Sequence, residues 1–278
     1  MFIAFNDKQE RISIENATQE NPYFCPICGE PLIIKAMKSL AVHPHFAHKR
    51  GAKCPDDWHY DMSEWHYSWQ QKFPKENREV IITKDGVKHR ADVLINNTVI
   101  EFQHSHIKGE EIAKRNNFYL TCGYNVVWVF DATDKIKNDI EESIDPMKCN
   151  PYDLCWKRAK QEFNIKFPQQ VNIYLQYKIP DPNISNQELD IMILLTKVDP
   201  KNFEFYKTSK YYFLQNNFLK EYGVELNDAS ISDIKNYEQM IKDIANYQKP
   251  QRIQQNTTSK PKRRLPKLNT PRRRNWWL

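Results

Sequence analysis

The most restrictive feature of the sequence is a succession of helical and strand patterns between residues 62 and 130. Residues 62–73 repeat aromatic and other apolar side chains at spacings of three and four, which predicts an amphipathic helix. Three strand-like runs follow, and the pairs Asp85-Gly86 and Asn96-Asn97 that separate them favour tight hairpin turns. The runs are residues 79–83, 88–95 and 98–103.

A second helix and a fourth strand complete this succession. Residues 108–121 return to a helical pattern, and Gly123 follows in the position of a C-terminal cap. Residues 125–130 read NVVWVF, which is typical of a strand that is buried on both faces of a sheet. Because a helix connects the third strand to the fourth, we expect both strands in one sheet, parallel if they are neighbours. The sequence therefore predicts an α/β core in the order αβββαβ.

The sequence predicts three further segments outside this core. We expect an N-terminal strand and a zinc-binding knuckle in residues 1–58, the core in residues 59–135, and an α+β region of unknown role in residues 151–248. Residues 249–278 are rich in Pro, Lys, Arg, Asn and Thr, which predicts a disordered basic tail. The strand-like runs of the α+β region are residues 171–177, 189–198 and 203–206, and helical patterns follow Lys210 and Ile231.

The positive charge belongs to the tail and not to the folded part. The chain has a net charge of +6, but residues 249–278 contain 10 Lys or Arg and no Asp or Glu, so residues 1–248 carry −4. A nucleic-acid surface on the folded part must therefore be a local patch. In the tail, arginines can bind phosphates and the two tryptophans can stack on unpaired bases. We expect DNA contacts from Arg263, Arg264, Arg272, Arg273 and Arg274.

Two other interpretations of the tail stay open at this stage. It is either a solvated, solubilising terminus or, through Trp276-Trp277-Leu278, a docking peptide for a protein partner. No segment has the order of a signal peptide, and the longest apolar run, residues 191–195, is too short to span a bilayer. We therefore expect a cytoplasmic protein without a membrane partner, in which cysteines bind metal rather than form disulfides.

A metal-ligand pattern lies near the N-terminus. Residues 25–29 read CPICG, in which two thiolates separated by two residues can bind one zinc ion and the glycine lets the backbone turn. A closed site with four protein ligands would be structural, because catalytic zinc keeps an open position. The alternative is that these cysteines are small buried apolar residues. We expect Cys25, Cys28, His48 and Cys54 as ligands, with His45 as the substitute for His48.

Two carboxylates interrupt apolar strand patterns in the core. Asp92 lies within the second strand-like run, and Glu101 and Gln103 share one face of the third. Buried carboxylates are costly unless a cation or hydrogen bonds compensate them, and Mg²⁺ or Mn²⁺ is a hard cation that prefers such ligands. Glu64 on the first helix is a further candidate ligand, directly or through water, and His66 a candidate for positioning a water or phosphate.

A structural interpretation of the same residues is also open. Glu64 would then be solvated, Asp92 would form an ion pair with Arg90 or Arg115, and Glu101 would merely end a strand.

Short motifs follow one another in a specific order through the first half of the chain. They are CPICG at 25–29, HFAH at 45–48 with Cys54, SEWH at 63–66, HRADV at 89–93, IEFQHS at 100–105, Arg115 with Tyr119, and VVWV at 126–129. In this order they resemble the competence protein CoiA-like family. That family is part of the PD-(D/E)xK, or restriction-endonuclease-like, superfamily, whose core has the same αβββαβ order.

The resemblance implies a nuclease that hydrolyses DNA in uptake, recombination, repair or defence, with the zinc knuckle next to the nuclease core. By motif, Glu64, Asp92 and Glu101 would be the acidic triad that binds the catalytic Mg²⁺ or Mn²⁺. Gln103 stands where the wider superfamily has lysine, and as part of the CoiA-like pattern it is interpreted as a family variant. Arg115 is a candidate phosphate contact, or alternatively a surface ion pair. The rival function is a non-catalytic nucleic-acid or protein-binding module on a degenerate nuclease scaffold.

Overall fold

Two β-sheets and four α-helices organise the part of the chain that the computed structural model describes. By its internal contacts the chain divides into two units, Met1–Met240 and Ile241–Leu278, and both sheets belong to the first. The described residues are 1–40, 42–58, 60, 62–133, 155–156, 171–180, 186–197 and 206–247.

The first sheet has five short strands and contains the N-terminal strand that the sequence predicts. Its order is β2-β1-β3-β4-β5, and every neighbouring pair is antiparallel. A small core of Phe2, Tyr23, Leu32 and Phe46 packs around Cys25 on this sheet. The strands are β1 (Ile3–Phe5), β2 (Arg11–Ser13), β3 (Tyr23–Phe24), β4 (Pro31–Lys35) and β5 (His45–His48).

The second sheet has eight strands in the order β10-β13-β12-β11-β9-β8-β7-β6. The pairs β8–β9 and β9–β11 are parallel, and the remaining pairs are antiparallel. The expected parallel pairing of the third and fourth core strands is therefore confirmed. The strands are β6 (Arg78–Lys84), β7 (Val87–Ile95), β8 (Thr98–Gln103), β9 (Asn125–Asp131), β10 (Cys155–Trp156), β11 (Val171–Pro180), β12 (Glu188–Lys197) and β13 (Tyr206–Leu214).

The turns of the β6–β7–β8 meander have the predicted chemistry. Asp85 and Gly86 have φ angles of 50° and 79°, and Asn96 and Asn97 have 47° and 60°. Two successive residues with positive φ give the turn whose twist matches that of the flanking strands. Asp, Asn and Gly tolerate this conformation, which is why both hairpins were visible in the sequence.

Helices cover both faces of the eight-stranded sheet. α1 and α3 contribute Trp69 and Phe218 to the core on one face, while α2 contributes Ile112 and Tyr119 to the core on the other. No helix in the described part of the chain is long and apolar enough to cross a membrane. The helices are α1 (Glu64–Gln71), α2 (Gly109–Thr121), α3 (Gln215–Glu221) and α4 (Asp228–Tyr247), and two single 3₁₀ turns are Ile14–Asn16 and Lys75–Asn77.

A buried carboxylate connects the two sheets. Glu79 on β6 accepts hydrogen bonds from the backbone N–H groups of Phe2 (2.8 Å) and Ile3 (2.9 Å), and its Oε1 lies 3.7 Å from Arg90 Nε. Because an unpaired buried N–H is costly, one side chain both satisfies two amides and fixes β1 against the large sheet.

The C-terminal strands extend the large sheet. β11 pairs with β9 in parallel, and β12 and β13 continue from it. The helix expected after Lys210 was placed too early: β13 runs to Leu214, and α3 begins at Gln215. Residues 211–213 are aromatic types that favour strands, and pairing with β12 outweighed the local helical pattern.

The domain boundaries that the sequence predicts stay predictions. The division into residues 59–135 and 151–248 is one of them, although a single sheet contains strands from both segments. The tail lies outside the described residues, and so do its predicted disorder and the DNA contacts of Arg263, Arg264, Arg272, Arg273 and Arg274.

Candidate active site and metal centre

Four metal-ligating side chains converge beside the first sheet. One ligand atom each from Cys25, Cys28, His48 and Cys54 lie within 4.8 Å of one another. Among the described residues this is the one group of three or more Cys, His, Asp or Glu side chains that meets this distance. The donor set of three thiols and one imidazole is that of a structural zinc site, so the residues present fit this metal.

The knuckle turn prepares the thiols for a cation. Gly29 has a φ of +75°, a conformation that favours glycine, and its N–H donates to the carbonyl of Cys25 at 2.9 Å. The N–H of Ile27 points at Cys25 Sγ, 3.4 Å away. Burial raises the pKa of the Cys25 thiol and raises that of Cys54 to about 12. A bound cation reverses this effect, because it stabilises the thiolates.

The two candidate histidines have different positions. His48 Nε2 lies 3.2 Å from Cys28 Sγ, within the ligand group. His45 is turned towards the backbone, with Nδ1 2.9 Å from the carbonyl oxygen of His43, and is not part of the group. Of the two alternatives in the sequence analysis, the geometry favours His48.

Asp92 occupies the point where the β7–β8 ladder stops. The registered pairs of these strands end at Val93 and Ile100, and the N–H of Phe102, two residues further along β8, donates instead to Asp92 Oδ2 at 2.9 Å. On the other oxygen, His66 Nε2 lies 3.1 Å and Gln70 Nε2 3.4 Å from Asp92 Oδ1. The carboxylate is therefore compensated inside the protein.

The electrostatic balance at Asp92 favours the charged form. Burial by itself raises the pKa of this carboxyl group, but His66, the Phe102 amide and Arg115 together hold it below its ordinary value. Asp92 is thus an anion buried next to an imidazole.

Glu101 lies on β8 and faces α2. Tyr119 donates its hydroxyl to Glu101 Oε1 at 2.6 Å, and Arg115 Nη1 lies 2.8 Å from Oε2. Burial and the charge of Asp92 raise the pKa of Glu101 to about 7, against the opposing effects of Arg115 and Tyr119. A divalent cation next to both carboxylates would favour their charged forms.

Arg115 is an internal ion-pair partner in this structure. Only 2% of its side chain is exposed, and its second guanidinium nitrogen pairs with Glu111 at 2.5 Å, one helical turn before it on α2. The surface ion pair considered from sequence is therefore wrong in location, because the pair with Glu101 is buried. Contact between Arg115 and a phosphate stays a prediction, and it requires this pair to open.

Aromatic side chains that follow the metal cluster in sequence lie over this ion pair. The guanidinium carbon of Arg115 is 5.1 Å from the ring centroids of both Trp58 and Tyr60. Trp58 in turn stacks on His89 at 3.6 Å, and Asp56 Oδ1 lies 2.9 Å from His89 Nδ1. We call Trp58 and Tyr60 the aromatic cover.

The other two predicted site residues have separate contacts. Glu64 begins α1 with 68% of its side chain exposed, and its carboxylate lies 2.5 Å from His43 Nδ1. Gln103 is buried at the end of β8, and its amide donates to the carbonyl of Ser105 at 2.7 Å. Both catalytic assignments stay predictions.

The contacts that three residues, His66, Gln70 and Tyr119, make with the buried carboxylates were not predicted from the sequence. His66 and Gln70 are one helical turn apart on α1, and both contact Asp92. Tyr119 follows Arg115 by one turn on α2, and both contact Glu101. The spacing of four was visible in the sequence and places each pair on one helix face. Which strand that face would meet was not visible.

Two family models match the chain. Residues 6–57 match "Competence protein CoiA, N-terminal domain", and residues 60–180 match "Competence protein CoiA, nuclease-like domain". Together they cover well over half of the chain. The first match contains the metal-ligand cluster, and the second contains the buried carboxylates. Neither the curated proteins nor the solved structures yielded a match.

Proposed function

Because the chain belongs to the competence protein CoiA family, we propose that it is a metal-dependent nuclease that hydrolyses phosphodiester bonds in DNA. The observation that carries the proposal is the pair of buried carboxylates, Asp92 and Glu101, on neighbouring strands of the nuclease-like domain. Isolated buried carboxylates are unfavourable, and two of them together suit a site that recruits a cation.

In this proposal Asp92 and Glu101 hold Mg²⁺ or Mn²⁺. Bound there, the cation would lower the pKa of a water molecule and stabilise charge on the scissile phosphate. Each carboxylate has more acceptor positions than its protein partners use, since an ionised carboxylate offers about four lone pairs. Glu64 would assist directly or through water, and Gln103 would orient the water by hydrogen bonding.

The chain's own donors orient the two carboxylates. Phe102 N–H and the His66 imidazole fix the two oxygens of Asp92, while the Tyr119 hydroxyl fixes one oxygen of Glu101. Arg115 neutralises the other oxygen, and a cation must compete with it or displace it. A released Arg115 would then be free to contact a phosphate, which reconciles its buried position with the predicted role.

The same ion pairs favour a second candidate function. With Asp92 in contact with His66 and the Phe102 amide, and Glu101 paired with Arg115, both buried carboxylates have partners without a metal. A non-catalytic nucleic-acid or protein-binding module on a degenerate nuclease scaffold has this property. Glutamine in place of the superfamily lysine at position 103 points the same way, since it supplies no cation.

Divalent-cation-dependent cleavage distinguishes the two functions. We expect the zinc-loaded protein to nick or degrade plasmid and single-stranded DNA with Mg²⁺ or Mn²⁺. Asp92→Asn keeps the shape of the side chain but removes its charge. A catalytic cation supplies several kcal/mol, and 1.36 kcal/mol is tenfold in rate, so we expect cleavage to fall at least about 100-fold.

Asp131→Asn is the matched control. Asp131 ends β9 and contacts His104 at 2.8 Å, so Asp131→Asn removes a histidine–carboxylate contact outside the proposed cation site, at a more exposed position than Asp92. Thermal unfolding of both variants separates a folding defect from a catalytic one, and Glu101→Gln provides a second test of the site. Equal cleavage by Asp92→Asn and the parent refutes the assignment, while DNA binding without cation-dependent cleavage supports the second function.

A further inference from the structure

The connection between β4 and β5 exposes an unusual amount of apolar surface. Met37 is 51% exposed, Leu40 104% and Val42 38%. These are three of the four large apolar side chains that are strongly exposed in the described part of the chain. Scattered exposed apolar residues are normal, but a group of them marks an interaction site. We call residues 35–40 with Val42 the hairpin tip.

Positive charge accompanies the β4–β5 hairpin: Lys35 and Lys38 lie at its tip, while Lys49, Arg50 and Lys53 follow β5 at its opposite end. Residues 31–55 contain five Lys or Arg and no Asp or Glu, in contrast to the net negative charge of residues 1–248. All five side chains are exposed, and none forms an ion pair with another described residue. Lys35 and Lys38 are therefore available cations at the tip itself, complementary to a polyanion. The five residues are Lys35, Lys38, Lys49, Arg50 and Lys53.

The base of the tip is fixed to the start of α1. Val42 forms a β-bridge with Ser63, and His43 N–H donates to the carbonyl of Met62 at 2.9 Å. The His43 ring stacks on Tyr67 with the centroids 3.5 Å apart. The tip is thus attached to the helix whose first turn carries His66, a contact of Asp92.

We infer that the hairpin tip is a DNA-binding surface, with Lys35 and Lys38 on phosphates and Met37 and Leu40 against the bases in a groove. Apolar side chains between cations are a known means of contacting a groove, while the cations neutralise the backbone. This inference rests on the proposed function for the choice of DNA as the polyanion. Attachment to α1 would place the bound DNA on the same side as the helix that supports Asp92.

The test measures affinity separately from cleavage. Full-length, zinc-loaded protein is titrated against a fluorescein-labelled DNA duplex by anisotropy, without added divalent cations, at several salt concentrations. Each phosphate contact contributes about 0.9 to the slope of log K against log salt concentration. We expect Lys35→Gln/Lys38→Gln to reduce the slope by about 2. Lys88→Gln, on the equally exposed β6–β7 hairpin, should leave it unchanged.

The apolar side chains have a different expected signature. Met37→Ser/Leu40→Ser should weaken binding about tenfold, a change of about one decade in Kd, without changing the salt slope. Val87→Ser, at a side chain that is 48% exposed on the other hairpin, is the control. Zinc content and thermal unfolding should be unchanged in all variants, because every substituted side chain faces solvent.

The inference is overturned if the tip variants bind DNA like their controls. It is also overturned if they lose binding to anionic lipid vesicles, or to a protein partner, while DNA affinity stays the same. If the protein cleaves DNA but the tip substitutions leave its DNA affinity unchanged, this inference is refuted and the nuclease proposal is not. If the tip substitutions weaken DNA binding but the protein does not cleave DNA with Mg²⁺ or Mn²⁺, the nuclease proposal is refuted and this inference is not.

Discussion

Replacement of Arg115 by methionine tests the electrostatic description of the carboxylate pair. Methionine keeps much of the apolar volume beneath Trp58 but removes the guanidinium group. Arg115 pairs with Glu101 at 2.8 Å and with Glu111 at 2.5 Å. The substitution therefore leaves Glu101 in the protein interior with the Tyr119 hydroxyl as its remaining donor among the contacts described above.

The expected loss of stability follows from burial. The side chains of Arg115 and Glu101 expose 2% and 1% of their surfaces. Breaking a buried ion pair by removing one partner costs about 3–5 kcal/mol, whereas an exposed pair contributes at most about 1 kcal/mol. Glu111 is 20% exposed and regains hydration, so we expect the free energy of unfolding to fall by about 3 kcal/mol, the lower end of that range.

Urea unfolding followed by tryptophan fluorescence measures this change, with the slope of the transition checked for constancy. The double variant Arg115→Met/Glu101→Gln removes both charges, so its cost should be smaller than the sum of the single costs by about 1–3 kcal/mol. The reasoning is refuted if Arg115→Met costs less than about 1 kcal/mol and the two substitutions are additive.

Two further substitutions test the metal cluster and the connection between the sheets. His48→Ala should lose stoichiometric zinc, measured by plasma emission spectroscopy, while His45→Ala keeps one zinc per chain, and the reverse result would exchange their roles. Glu79→Gln should lower the free energy of unfolding by about 2 kcal/mol, since an amide offers one acceptor oxygen to the N–H groups of Phe2 and Ile3. An unchanged urea midpoint would show that this carboxylate does not connect the sheets.

Local chemistry explains which elements could be predicted from the sequence. Asparagine tolerates the positive φ angles that Asn96 and Asn97 adopt, so the turn between β7 and β8 was visible without tertiary information. The helical spacing of Trp65 and Trp69 is equally local, and both side chains pack in the core on one face of the sheet. The predicted helix of residues 62–73 was too long at both ends, because α1 is Glu64–Gln71, and Phe73 is buried beyond it. By contrast, the extent of β13 depends on its pairing with β12, and local pattern placed it wrongly.

The candidate site shows the same division. The burial of Asp92 and Glu101 followed from the apolar strands around them, and the structure agrees. Their partners could not be derived, because the contact of His66 with Asp92 or of Tyr119 with Glu101 depends on how a helix face lies on the sheet. The sequence therefore indicated where charge would be buried but not what would compensate it.

The aromatic cover has a consequence for how the two family domains can be separated. The matched regions end at residue 57 and begin at residue 60, so the boundary between them runs through the cover. Trp58 lies over Arg115, and Cys54, only four residues earlier, belongs to the metal cluster. A fragment that starts at residue 60 would contain Asp92 and Glu101 but lack the indole of Trp58, which lies over Arg115. The short segment that joins the two matched regions is therefore part of the site around Arg115.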